Sequence, residues 1–205
     1  MLQNKPRLVK LLSENYMDYI EYLFARRRLE STVGVKLLYF HVQEDYAARW
    51  EIDTIPHIFH YLVEDKRIRI IHLKRRNRLR TLTSRRIAEK TRQWVLNDEQ
   101  QRELRHVIEL SPYECETDFR QIGKWEEEFD TLFNQHRKTV VYYEDLVCNR
   151  TQECSRVLDF LGVRQRTLQT DMLKQNAPSL PTLINNYHAL KVHFIGNEWE
   201  GYFTE

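Results

Sequence analysis

Residues 70–84 read IIHLKRRNRLRTLTS, and the fold is decided there. Ile70 to Leu73 form a short apolar run of the kind that makes a buried strand, predicted over Arg67 to Leu73. Lys74, Arg75 and Arg76 stand where that strand would end. Asn77 is a helix-capping residue, and a long helix is predicted from Asn77 to Trp94 with Ser84 two turns inside it. A strand that runs through a basic turn into a helix is an anion site by construction. The helix N-terminus offers unpaired N–H groups, and the arginines offer forked donors. The expected ligand is a phosphate on a small molecule; a basic face for nucleic acid is the other reading.

The same alternation of strand and helix extends in both directions. Pro6 opens a predicted helix whose apolar positions recur from Leu8 to Leu23 and whose last turn holds Arg26, Arg27 and Arg28, and Val33 to Val42 (VGVKLLYFHV) reads as a buried strand. Ile55 to Val63 is predicted helical, as is Trp125 to His136. Thr139 to Tyr143 (TVVYY) is a third strand, and residues 152–161 form a helix closed by Gly162. A last helix is predicted from Thr182 to Leu190, after a loop holding Pro178 and Pro181. Two of the strands are near-continuous apolar runs, which predicts an α/β fold whose parallel sheet is covered on both faces. No repeat or linker interrupts the 205 residues, so a single domain, 1–205, is expected.

Composition narrows the class. Hydrophobic residues make up 41% and charged residues 30%, with a net charge of +2 that predicts no partner. The positive charge is local, crowded between residues 66 and 92. Neither a membrane helix nor a secretory leader is apparent, and Cys115, Cys148 and Cys154 show no paired spacing, so a reduced, cytoplasmic protein is expected. No cluster has metal-ligand spacing. The five glycines never fall into a dinucleotide or P-loop pattern.

HLKRRNRLRTLTS followed by AEKTRQW resembles the 3′-phosphate-binding segment of sulfotransferases that use PAPS (3′-phosphoadenosine 5′-phosphosulfate), the bacterial branch above all. In that family a strand ends in Arg followed by Asn or Asp, with a serine about two helical turns later. Arg76, Asn77 and Ser84 match this pattern, with Arg75 as a second alignment for the arginine. VGVKLLYFH resembles the strand that carries the catalytic base in several members. WEEEFDTLF, VVYYEDL and VLDFLGV resemble the helix, strand, Tyr-Glu-Asp-Leu turn and helix that follow, and LKQNAPSLPTLINNYHALK resembles the C-terminal end. The matches cover roughly residues 30–205, in order.

The resemblance implies a P-loop-like parallel sheet flanked by helices. It also implies transfer of a sulfuryl group from PAPS to a hydroxyl or amine, leaving PAP (3′,5′-adenosine bisphosphate), without a metal. Arg76 and Ser84 would take the 3′-phosphate, with Lys174 and Gln175 contributing from the C-terminal loop. His41, at the end of its strand, is the expected base, and its ordinary pKa suits proton abstraction near neutrality. Lys36 is expected to be a structural strand residue, Trp94 to pack its helix against the core, and Glu144 and Asp145 to serve as a structural turn that caps the next helix. Acceptors range over small-molecule, carbohydrate and lipid hydroxyls, with no nucleic acid or membrane partner, and a homodimer would be unsurprising.

Two other readings stand beside this one. The basic segment 66–92 suits a nucleic-acid-binding module by charge, but its interleaved apolar positions and lack of stacking aromatics weigh against that use. A catalytically inactive scaffold is the second. Nothing in the chain resembles the family's RSGTT-type loop for the 5′-phosphosulfate, so the first strand and loop are expected to be missing. A start at an internal methionine, a degenerate relative or a second chain would each account for this, and the first is favoured. A sheet without that strand has unpaired edges. The isolated chain is therefore expected to unfold at lower temperature than its length implies; a sharp, cooperative, high-temperature transition of the monomer would contradict this.

Overall fold

The computed structural model describes residues 18, 20, 22, 32–39, 55–94, 106–170 and 179–204. They comprise α1 (Ile55–Glu64), β1 (Ile70–Lys74), α2 (Arg78–Thr91), α3 (Pro112–Leu132), β2 (Lys138–Tyr142), α4 (Tyr143–Cys148), α5 (Arg150–Leu161), α6 (Leu180–Leu183), α7 (Tyr187–His193) and a closing 3-10 turn (Glu200–Phe203). β1 and β2 pair in a small parallel sheet, and each leads into a helix, the α/β arrangement. Residues 32–38 are irregular, so the strand expected over 33–42 is absent as far as it is described. β1 also departs from the expected cover on both faces: His72 is buried, whereas Ile71 and Leu73 are exposed. Alternation of side chains along a strand leaves these two on the opposite face from His72.

The chain divides into two compact units. One unit holds residues 1–72, 129–139 and 155–165. Its described centre is aromatic. Phe129 lies 5.1 Å from Tyr39 and 5.6 Å from Phe59 between ring centroids, and Phe133 lies 5.0 Å from the buried His136 ring. His72 is accommodated there because both ring nitrogens find partners. Nε2 lies 2.6 Å from the Tyr39 hydroxyl and Nδ1 3.1 Å from Asp130, which also receives Lys138 at 2.5 Å. At the end of α5, Gly162 (φ +64°) adopts the left-handed conformation that closes the helix. Its N–H donates to Asp159 O, and that of Val163 to Leu158 O, the paired bonds of a Schellman motif.

The other unit holds residues 73–128, 140–154 and 166–205. Its core packs Leu79, Leu82 and Ile87 of α2 with Phe119 of α3, Tyr187 and Leu190 of α7, Phe194, Trp199 and Phe203. Leu79, Leu82, Thr83 and Ile87 recur at helical spacing on one face of α2. The Thr83 hydroxyl, buried on that face, donates to Leu79 O at 2.7 Å. Asn77 caps α2 as expected: its side-chain oxygen accepts from Arg80 N at 3.0 Å, and its amide donates to Tyr202 O at 3.1 Å. The C-terminal Ile-x-Asn segment is fixed by a parallel bridge between Ile108 and Ile184. Asn186 there both accepts from Leu110 N and donates to Leu110 O. α3 begins at Pro112, well before the predicted Trp125, because the apolar face of Cys115, Phe119 and Ile122 is interspersed with charged residues that obscure its period.

Two buried polar groups in this core carry a cost. Burial pushes the Cys115 thiol up to about 12, with Glu114 and Asp118 adding to the effect. Burial likewise raises the Asp118 carboxyl above its ordinary value, opposed by the bond from Arg85, and its second oxygen has no partner among the described residues. Because the unfolded thiol titrates near 9.0 and the folded one near 12, the stability that Cys115 contributes is complete below the first value. It is lost as pH rises through this window. Cys115 should resist iodoacetamide at pH 8 in the folded protein while the exposed Cys148 reacts; equal native labelling of both would contradict this packing. Phe119→Ala, which empties the centre of the core, should lower stability by about 3–5 kcal/mol in chemical denaturation.

Candidate functional site

Two strand ends in the second unit supply facing turns. After Lys74, the chain passes through Arg75, Arg76 and Asn77 into α2; after Tyr142, it enters α4 with Tyr143, Glu144 and Asp145 in the first turn. The two turns are tied residue by residue. Arg76 donates from Nη1 and Nη2 to the two oxygens of Asp145, at 2.7 and 2.8 Å, in an end-on fork. Its guanidinium also lies over the Tyr142 ring, 4.1 Å from the centroid. Arg75 lies over the Tyr143 ring at 4.5 Å, with Nε 3.9 Å from Glu144. The Glu144 carboxylate accepts from the backbone N–H of Arg76 at 3.1 Å and of Asn77 at 3.4 Å. Glu144 and Asp145 sit at the start of a helix, where negative charge is favoured.

The guanidinium of Arg76 stays half exposed, and its bond to Asp145 holds it still more firmly protonated than an ordinary arginine. Ser84 is half buried and lies seven residues beyond Asn77. At about 100° per residue, that spacing returns Ser84 to the helix face of the cap, roughly 10 Å along the axis. The cap thus stands at one end of this face and Ser84 further along it, with Arg76 in the turn just before the cap. Arg78 is directed elsewhere: it donates to Phe119 O at 2.8 Å and to Glu126 at 3.0 Å. Its guanidinium lies so close to Gly123 that a Cβ there would come within 2.7 Å.

Of the residues singled out by sequence, Arg75, Arg76 and Ser84 are thus placed on one strand–turn–helix unit. His41, Lys174 and Gln175 lie outside the described residues. Lys36 is exposed on an irregular segment rather than carried on a strand. Trp94 is 62% exposed and follows the end of α2, so it does not pack that helix against the core as expected. The left-handed turn at Arg92 ends the helix two residues earlier. Glu144 and Asp145 were expected to form a structural turn capping the next helix, and Tyr142 and Tyr143 were read as strand residues. The structure instead joins them to the arginine pair. The available signal was two doublets, Arg-Arg and Tyr-Tyr, each closing a short strand. Among the described residues, no group of three or more His, Cys, Asp and Glu side chains is arranged for a metal, and no helix is long and apolar enough to cross a membrane.

Over 150 residues, the chain is 27% identical to Nodulation protein H of Rhizobium meliloti, covering 72% of this chain and 61% of the relative. The same values hold for Nodulation protein H of Rhizobium meliloti strain 1021. The matched stretch is thus less than two thirds of either relative's length. No solved structure matches the chain. The sulfotransferase domain family matches residues 5–205, including the arginine turn, the tyrosine–acid turn and the C-terminal Ile-x-Asn segment, and the chain belongs to that family.

Proposed function

We propose that this protein transfers a sulfuryl group from PAPS to a hydroxyl or amine acceptor, with Arg76 and Ser84 holding the 3′-phosphate of the nucleotide. The observation that carries this reading is the half-exposed Arg76 guanidinium in the turn that opens α2, the helix that carries Ser84. A phosphate dianion suits such a place: a planar fork matches its oxygens, a hydroxyl adds a further donor, and a helix N-terminus favours negative charge. Arg75 is the second cation of the same turn. Lys174 and Gln175 are assigned to the same phosphate on family resemblance alone.

PAPS supplies the activated sulfuryl group. The protein's part is to bind and align the nucleotide and acceptor, and to take the acceptor's proton. His41 is the proposed base: its ring would accept the hydroxyl or amine proton as the acceptor oxygen or nitrogen bonds to sulfur and the bond from sulfur to the 5′-phosphate oxygen breaks, releasing PAP. No resident metal is needed for these roles. The reading also carries a single P-loop-like domain over 1–205, a cytoplasmic setting, and acceptors among small molecules, carbohydrates and lipids. Nucleic acid is disfavoured because Arg67, Arg75, Arg76, Arg78, Arg85 and Arg86, half of the twelve basic residues between 66 and 92, each face a carboxylate.

Calorimetric titration of PAP tests the assignment. Arg76→Ala should weaken binding by more than about tenfold, and Ser84→Ala by about threefold, with folding retained. PAP binding untouched by Arg76→Ala would reject the phosphate site. A folded protein that binds PAP but transfers no sulfate to any acceptor would favour an inactive scaffold.

A further inference from the structure

We propose that Asp145 is a positioning residue for nucleotide binding: it fixes the Arg76 guanidinium so that its unused donors are already presented when the 3′-phosphate arrives. This rests on the reading of Arg76 as the phosphate ligand. The end-on fork consumes one hydrogen of Nη1 and one of Nη2. Arginine carries five N–H hydrogens, so Nε–H and the two outer Nη hydrogens remain. None of these has a partner among the described residues. Nε–H and the adjacent outer hydrogen form a second, side-on fork, able to take two phosphate oxygens while Asp145 stays in place.

Three contacts fix the arginine before any ligand binds. Asp145 holds the end of the guanidinium, the Tyr142 ring covers one of its flat faces, and Glu144 holds the backbone N–H of the same residue. A long, half-exposed side chain otherwise gives up its rotamer freedom at the moment of binding, which weakens affinity. Against this stands repulsion between the Asp145 carboxylate and the phosphate. Both Arg76 and Asp145 are 40–50% exposed, so water and salt screen that repulsion, and Lys74 and Arg75 add positive charge to the same turn. Asp145 therefore acts in favour of the anion rather than as its competitor. Asparagine at this position has one acceptor oxygen and cannot complete the fork.

The test compares PAP with 5′-AMP, which lacks the 3′-phosphate, by competition calorimetry. The proteins are wild type, Asp145→Asn, Arg76→Ala and the double variant, each checked by thermal unfolding. Asp145→Asn should weaken PAP binding by about tenfold, the usual consequence of removing the partner that orients a ligating side chain. It should leave 5′-AMP affinity unchanged, and its effect should vanish in the Arg76→Ala background. Equal losses for PAP and 5′-AMP would mark a merely structural role and overturn the proposal. Unchanged or tighter PAP binding by Asp145→Asn, with Arg76→Ala still weak, would also overturn it and leave the Arg76 assignment standing. Wild-type affinity in Arg76→Ala would remove both. Should Asp145→Asn fail to fold, Asp145→Ser carries the same comparison.

Discussion

The pairing of the arginine turn with the tyrosine–acid turn is the constraint on which the candidate site depends. Each turn alone is unremarkable: a basic strand end, and a helix that starts with two acids. Together they convert mobile side chains into a fixed array, with Arg76 held by Asp145 and Tyr142, and Arg75 beside Glu144 and Tyr143. The backbone is held as well, since Glu144 takes the N–H groups of Arg76 and Asn77 at the point where α2 begins. Asn77 then closes the helix end on one side and reaches Tyr202 on the other, which links the site to the C-terminal core.

Charge neutralisation explains how so basic a segment sits in a folded core. α2 buries Leu79, Leu82, Thr83 and Ile87 and must direct its arginines outward or into partners. Arg78 finds Phe119 O and Glu126 along α3, a route open because residue 123 has no side chain to obstruct it. Arg85 meets the buried Asp118, and Arg86 pairs with Glu89 and Glu114. The exposed pair of Arg86 with Glu89 contributes little by itself. The effect of these pairs is to direct the arginines of α2 onto partners along α3 and α2, while Arg76, in the turn before α2, keeps about half of its side chain exposed beside Asp145.

Much of this was legible in the sequence where local chemistry decides the outcome. The Asn77 cap, the helix that follows, the strand expected over 139–143 and found at Lys138–Tyr142, and the Gly162 terminus all came from signals confined to a few residues. The failures share a cause. Residues 32–38 carry a strand-like composition but are irregular, because strand formation depends on neighbours that a local pattern does not contain. Trp94 has the residue type of a core anchor, yet the left-handed Arg92 ends α2 before it. The roles of Tyr142, Tyr143 and Asp145 were missed because Arg76 and Asp145 are separated by 69 positions, and only the strand pairing brings them together.

The central claim is that Arg76 recognises the nucleotide's 3′-phosphate. Phosphorus NMR of PAP during titration with the protein tests it most directly, because the 3′ and 5′ phosphorus nuclei report separately. The account predicts that the 3′ resonance shifts on binding, and that this shift is lost selectively with Arg76→Ala. A 3′ resonance that stays at its free position while the 5′ resonance moves would contradict it.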